Sequence, residues 1–181
     1  IHNLEERSFD MVMTTNVKAV FMLSKMVRLA ILEHGQGGTI VNVSSTGGLR
    51  ASAGLGGYSV SKAAVIMLTQ VCAKEWGTDG IRVNCIAPGH IQTAMSAFEQ
   101  GSAADNVTAL AREIDVIYLS NQPLKQRGLP EDVAQAALFL ASERSKFATG
   151  MVMPVEGGVT AGDPVNHLAD ILGARSRILG D

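Results

Sequence analysis

Three short apolar, partly β-branched runs, Thr39–Ser44, Ile81–Ile86 and Met151–Val155, are separated by long stretches of helical periodicity. Runs of that length and composition are those of strands buried on both faces of a parallel sheet. Parallel neighbours must be joined by crossovers. The alternation therefore confines the chain to an α/β layer structure with right-handed connections.

The connecting stretches are readable one by one. From Leu4 to His34, Phe9, Val12, Met13, Val17, Val20, Phe21, Leu23 and Leu29 recur at helical spacing, with a break expected near Thr14-Thr15-Asn16. Gly35 to Gly38 end that helix, as glycine does at helix C-termini. Met22 and Met26, one turn apart, read as core filling. A loop rich in glycine, alanine and serine, 46–57, leads into a second helix from Tyr58 to Trp76. That helix is apolar almost all round, which predicts a second burial surface, most simply another subunit. Pro130-Glu131-Asp132 opens a third helix running to Ser142, with proline in its first turn and acids favouring the dipole. Residues 94–122 are polar and then weakly helical, and 163–181 reads as an amphipathic tail with a frayed end.

Composition excludes several classes. With 181 residues, 46% hydrophobic and 18% charged, the chain can build a real core and is not of disordered type. A net charge of −2 argues against nucleic acid as a partner. No run of about 18 apolar residues occurs, so no membrane span is expected. Cys72 and Cys85 show neither metal nor disulfide-framework spacing, and the four histidines are scattered. No metal is expected, and a reducing, cytoplasmic setting is.

The chemistry-bearing feature is Tyr58-Ser-Val-Ser-Lys62, thirteen residues after Ser45 at the end of the first strand. Positions i and i+4 share a helical face, so phenol and ammonium project to the same side. A phenol is a poor base at neutral pH, and a cation held beside it favours the phenolate. Such a group can exchange a proton with a carbonyl or alcohol oxygen while a serine hydroxyl holds that oxygen. This is the equipment of a carbonyl/alcohol redox site that still needs a hydride source.

Taken together, Asn16, Ser45, Tyr58-x-x-x-Lys62, Arg82-Val-Asn84, the turn Pro88-Gly89-His90-Ile91-Gln92-Thr93 and the closing Pro154-Val-Glu-Gly-Gly158 resemble the short-chain dehydrogenases/reductases. The likeness runs from Leu4 to Gly162. It implies an NAD- or NADP-dependent oxidoreductase interconverting a small-molecule secondary alcohol and a ketone, and a homo-dimer or homo-tetramer. It also implies roles. Tyr58 would be the general acid/base, with Lys62 favouring its phenolate and binding the nicotinamide ribose. Ser45, rather than Ser44, would hold the substrate oxygen. Asn16 would hold a water linking Lys62 to solvent. Pro88 and Gly89 would shape the turn under the nicotinamide, and the Ile91 backbone and Thr93 would contact its carboxamide. Met95 and Phe98, on the family's substrate loop of about 94–122, are candidates to line an apolar pocket.

The family's N-terminal half, with its glycine-rich phosphate loop, has no counterpart in this sequence. A dinucleotide fold needs both mononucleotide halves. Residues 1–162 are therefore expected to form the C-terminal portion of one Rossmann-type, doubly wound parallel sheet, completed by a longer polypeptide or by a separate half. In the family's order a further strand flanks Thr39–Ser44, whose edge would otherwise lie open.

Blander readings stand beside these. Ser59-Val-Ser-Lys62 fits the Ser-x-x-Lys pattern of penicillin-recognising enzymes, but no Lys-Thr-Gly or Ser-Asp-Asn accompanies it. Gly54-Leu-Gly-Gly57 follows a loop rather than a strand and reads as flexible backbone. His90, inside the proline-glycine turn, reads as an exposed loop histidine, with a place facing the cofactor as the alternative. The alternative for the whole chain is a non-catalytic truncated fragment serving only as a subunit-interface scaffold.

Overall fold

β-branched residues gather where a pleated surface can bury them. In a computed structural model, which describes residues 1–93, 113, 115–162 and 167–179, they form one parallel sheet. Its strands β1 (Gly38–Val43), β2 (Ile81–Pro88) and β3 (Val152–Val155) lie in the order β1-β2-β3. Gly38 pairs with Ile81 and Val43 with Ile86, while Cys85 pairs with Val152 and Pro88 with Val155. β2 is thus central, and Ile81, Val83, Asn84, Cys85, Ile86 and Ala87 are all buried. Among the described residues β1 pairs with β2 alone, which puts it at a sheet edge.

Helices α1 (Glu6–Met13) and α2 (Ala19–His34) are continuous through a π-helical turn, Thr14–Lys18. The break expected at Thr14-Thr15-Asn16 is therefore a change of winding. An inserted residue is absorbed by i→i+5 bonding instead of interrupting the helix. Gly35 ends α2 at φ 73°, its N–H bonded to Ile31 O at 3.0 Å. Helix α3 (Gly56–Trp76) takes in the end of the glycine-rich loop. Residues 115–120 are helical. At the start of α4 (Pro130–Ala141), the Asp132 carboxylate accepts the Leu129 N–H at 2.7 Å. Within the tail, α5 (His167–Leu179) is helical, and the chain end expected to fray lies outside the described residues.

The two faces of the sheet are covered by different helices. Cys72 and Ala73 of α3 pack with Ile81 and Val83, joined by Ile31, Ile40, Leu68 and Trp76. On the opposite face, Thr39 Oγ and the Arg82 guanidinium donate to Leu140 O of α4 at 3.4 and 3.0 Å. Both crossovers step the same way across the sheet, yet their helices lie on opposite faces. They are therefore of opposite hand, and the expectation of uniformly right-handed connections fails for one of them. The rule rests on a strand feeding closely into its helix. Between β2 and α4 the chain instead passes through residues 89–129, which frees it from that constraint.

Met22 and Met26 are 46% and 62% exposed, so they do not fill the core. The inward side of α2 carries Ser24, Arg28 and Ile31 instead. Phe21, Leu23 and Leu29 on α2, with Val60, Met67 and Val71 on α3, are likewise exposed apolar side chains. No helix among the described residues is long and apolar enough to cross a membrane.

Candidate active site

Parallel strands end at a common edge, so the residues that follow them are gathered there. The Ser44 N–H continues the ladder to Ile86 O at 2.8 Å, and the Gly89 N–H reaches Val155 O at 2.9 Å. Ser45, Gly89 and Glu156 consequently leave the sheet side by side.

Ser45 caps a 3₁₀ turn, Thr46–Gly48, its Oγ accepting the Gly47 N–H at 3.1 Å. That turn is pressed onto α3. A Cβ at Gly48 would lie 2.7 Å from the Lys62 carbonyl carbon and 2.8 Å from both Lys62 O and Ser44 Oγ. Ser44 Oγ itself donates to Lys62 O at 2.7 Å and so ties the strand end to α3. A Cβ at Gly47 would sit 3.3 Å from Tyr58 Cε1 and 3.6 Å from Ser45 Oγ, so serine hydroxyl and phenol ring are neighbours across a bare backbone. Lys62 Nζ stands 5.7 Å from the centroid of the Tyr58 ring and donates to Val43 O at 3.3 Å. Burial pulls the Lys62 ammonium below the usual lysine range, while Cys85 acts in the opposite direction. The structure thus brings together Ser45, Tyr58 and Lys62. Tyr58 is 38% exposed, open to a ligand.

Asn16 joins the same group through a residue that sequence reasoning did not single out. Its Nδ2 donates to Ser61 Oγ at 2.9 Å, and Ser61 Oγ donates to Tyr58 O at 2.7 Å. Ser61 is fully buried. Its place three residues after Tyr58, on the same helical side, was the available signal. Asn16 lies in the π-helical turn, and such turns re-aim a side chain that regular winding would direct elsewhere.

Pro88 ends β2, and Gly89 follows it against β3: a Cβ there would meet Glu156 Cβ at 2.6 Å. Glu156 braces its own turn, its carboxylate accepting the N–H groups of Gly158 and Thr160 at 3.1 and 2.7 Å. Ile91 pairs with Gly128 in an isolated bridge, and Thr93 ends the described part of this turn. A cavity of about 230 Å³ opens beside it, with His90, Ile91, Gln122, Arg127 and Glu156 in its wall. Ser45, Tyr58 and Lys62 are not in that wall. His90 is not an exposed loop residue, its side chain being 8% exposed and paired with Asp115. The reason is tertiary, because Asp115 comes from a segment distant in sequence. Met95 and Phe98, with residues 94–112 of the expected substrate loop, lie outside the described residues.

These residues fit a nicotinamide cofactor on two grounds. Lys62 has three N–H donors, and its hydrogen bond to Val43 O uses one, leaving donors for ribose hydroxyls. Tyr58, 38% exposed, presents its ring on the same side of α3 as Lys62, open to a ligand. Among the described residues no cluster of His, Cys, Asp or Glu could hold a metal ion.

Comparison with known proteins agrees with this geometry. The family described as enoyl-(acyl carrier protein) reductase matches residues 1–160. A-factor type gamma-butyrolactone 1'-reductase (1S-forming) of Streptomyces virginiae is 40% identical over 162 residues, covering 88% of this chain and 59% of the relative. The 3-oxoacyl-(acyl-carrier-protein) reductase of Thermotoga maritima is 40% identical over 156 residues, 86% of this chain and 58% of that protein. Among solved structures, 4-hydroxyisoleucine dehydrogenase complexed with NADH superposes with a TM-score of 0.77 at 34% identity, covering 90% of this chain and 64% of that one. The chain therefore spans less than two thirds of the length of these relatives, and its sheet is part of a Rossmann-type doubly wound α/β fold. With residues 1–160 matched and serine, tyrosine and lysine converging at the sheet edge, the chain belongs to the short-chain dehydrogenase/reductase family.

Proposed function

We propose that this chain carries the catalytic half of an NAD- or NADP-dependent oxidoreductase that interconverts a small-molecule secondary alcohol and a ketone. The observation that carries the reading is the meeting of Ser45 Oγ and the Tyr58 ring about the bare backbone of Gly47, with Lys62 Nζ 5.7 Å from the ring centroid. The substrate class is supported by the relatives, a gamma-butyrolactone 1'-reductase and a 3-oxoacyl-(acyl-carrier-protein) reductase. A bound nicotinamide supplies or accepts the hydride.

This chain's residues manage the oxygen and its proton. In the reductive direction the Ser45 hydroxyl donates a hydrogen bond to the substrate carbonyl oxygen, and Tyr58 gives that oxygen its proton. The Lys62 ammonium offers its charge to the phenolate that remains and its free donors to the cofactor ribose. Asn16, held by Ser61, orders the solvent path by which the proton is replaced. Pro88, Gly89, Ile91 and Thr93 form the turn that receives the nicotinamide. Residues 1–162 act as one portion of a single domain, with 163–181 as its tail. A cytoplasmic setting fits the two free, buried cysteines.

The test is Tyr58→Phe in the full-length protein, followed by NADH and NADPH oxidation with a panel of ketones. Turnover should fall by about 10² or more with the fold intact. Turnover kept at the unaltered level would sink the assignment.

The exposed apolar residues of α2 and α3 favour a homo-dimer or homo-tetramer built on those helices. They also suit the second reading, a non-catalytic scaffold that binds no dinucleotide. Titration with NADH and NADPH separates the two, since saturable binding belongs only to the enzyme.

A further inference from the structure

A second constellation lies beside the β2 turn, and the proton chemistry above does not use it. Asp115 Oδ1 faces His90 Nε2 at 3.1 Å and also accepts the Nε–H of Arg127. The imidazole therefore carries its proton on Nε2 when it donates to Asp115. Its ring stacks on Tyr118, with centroids 4.3 Å apart and planes 4° from parallel. The backbone is stitched at the same point. The Gln92 N–H donates to Gly128 O at 2.8 Å, and the Gly128 N–H to His90 O at 3.0 Å. Three separate stretches, 88–92, 115–118 and 126–128, thus meet on one carboxylate. The Arg127 hydrogen bond is the main influence holding Asp115 below the usual carboxylate range, and His90 adds to it, so the clasp is ionic at neutral pH.

From this geometry we infer that Asp115 is a positioning residue: it clasps His90 and Arg127 and so holds the Pro88–Ile91 turn in the form that receives the nicotinamide. The inference rests on the oxidoreductase reading for what the turn receives, and on the contacts above for how it is held. Asp115 touches no reacting atom. It acts through His90, which is flanked by Gly89 and Ile91 in the turn itself. Charge-assisted bonds of this kind are stronger than neutral ones, and two of them converge on one oxygen. Without the carboxylate the turn keeps its bridge to Gly128, the Gly89 N–H bond to Val155 O and the stack of His90 on Tyr118, none of them charged.

The test is Asp115→Ala in the full-length protein, with His90→Phe as a second variant that keeps a ring against Tyr118 but loses the bond to Asp115. Two quantities are measured: hydrogen exchange at the Gln92 and Gly128 amides, and the Kd for NADH and NADPH by fluorescence titration. The expected result is exchange faster by about tenfold or more at both amides, because local opening no longer has to break the two charge-assisted bonds to Asp115. The Kd should rise by a similar factor, with a smaller change in both quantities for His90→Phe. Unchanged exchange in Asp115→Ala would overturn the clasp, whatever the protein does with nucleotides. Faster exchange with an unchanged Kd would overturn the positioning role. An unaltered protein that binds neither nucleotide would fail at the oxidoreductase reading first, taking the positioning role with it, and the exchange data would still decide whether the clasp exists.

Discussion

Asn16 and Ser61, forty-five residues apart in sequence, are joined by a 2.9 Å hydrogen bond that ties the π-helical turn to the helix carrying Tyr58 and Lys62. Ser61 Oγ passes the connection on to Tyr58 O. Ser61→Ala removes both bonds and leaves the Asn16 amide facing a methyl group. Urea denaturation should report a loss of about 0.5–1.5 kcal/mol, the net worth of a hydrogen bond made by a half-buried amide. Turnover should fall with it, because Asn16 loses its hold. A variant as stable and as active as the unaltered protein would mean that Asn16 is held by something else.

Gly48 is where the Ser45 turn meets α3. A methyl group there would lie 2.7–2.8 Å from the Lys62 carbonyl group and from Ser44 Oγ, and the nearest atoms are helix backbone that cannot swing away. Gly48→Ala should cost about 1–3 kcal/mol by overpacking. It should also lower kcat more than it raises KM, because it parts Ser45 from Tyr58. Thermal unfolding and steady-state kinetics check the two halves separately.

Asn84 is the polar centre of β2. Its Nδ2 donates to Ala148 O at 2.8 Å and its Oδ1 accepts the Met151 N–H at 3.1 Å, with the side chain fully buried. Asn84→Ala strands the Met151 N–H and leaves Ala148 O with only its 3.5 Å bond from Arg82 Nη1, so about 1–3 kcal/mol should be lost in chemical denaturation. Asn84→Asp keeps an acceptor for Met151 but loses the donor to Ala148, so its loss should also be substantial.

Lys62 sets a pH dependence of definite sign. Burial depresses its folded pKa, so the folded state binds this proton less readily than the unfolded chain. Charged Lys62 therefore costs stability at neutral pH. The cost is present in full below the folded pKa and is relieved as pH rises from there through the ordinary lysine value of about 10.4. Lys62→Met should be inactive yet more stable at neutral pH, and its advantage should shrink as the pH approaches that value. Melting temperatures of both proteins across this range test the trend. An advantage that grew with pH would contradict it.

What was legible in the sequence follows from local physics. The β-branched runs named the three strands almost to the residue, because such side chains seek a buried pleated surface in most contexts. Pro130 and Asp132 announced α4, and Tyr58 and Lys62 shared a face because helical spacing demands it. Met22 and Met26 misled, since apolar periodicity does not say which of two faces meets the sheet. Burial of Ser24 decided it.

The sequence by itself determined the alternation of strands and helices and the tyrosine–lysine pair, since both arise within a few residues of one another. Only the tertiary structure decided that Asn16 reaches Ser61, that α4 covers the face opposite α3, and that Asp115 pairs with His90. Each of those contacts joins side chains that are far apart along the chain. Their meeting depends on the register of a parallel sheet and the path of a crossover, and no local periodicity encodes either.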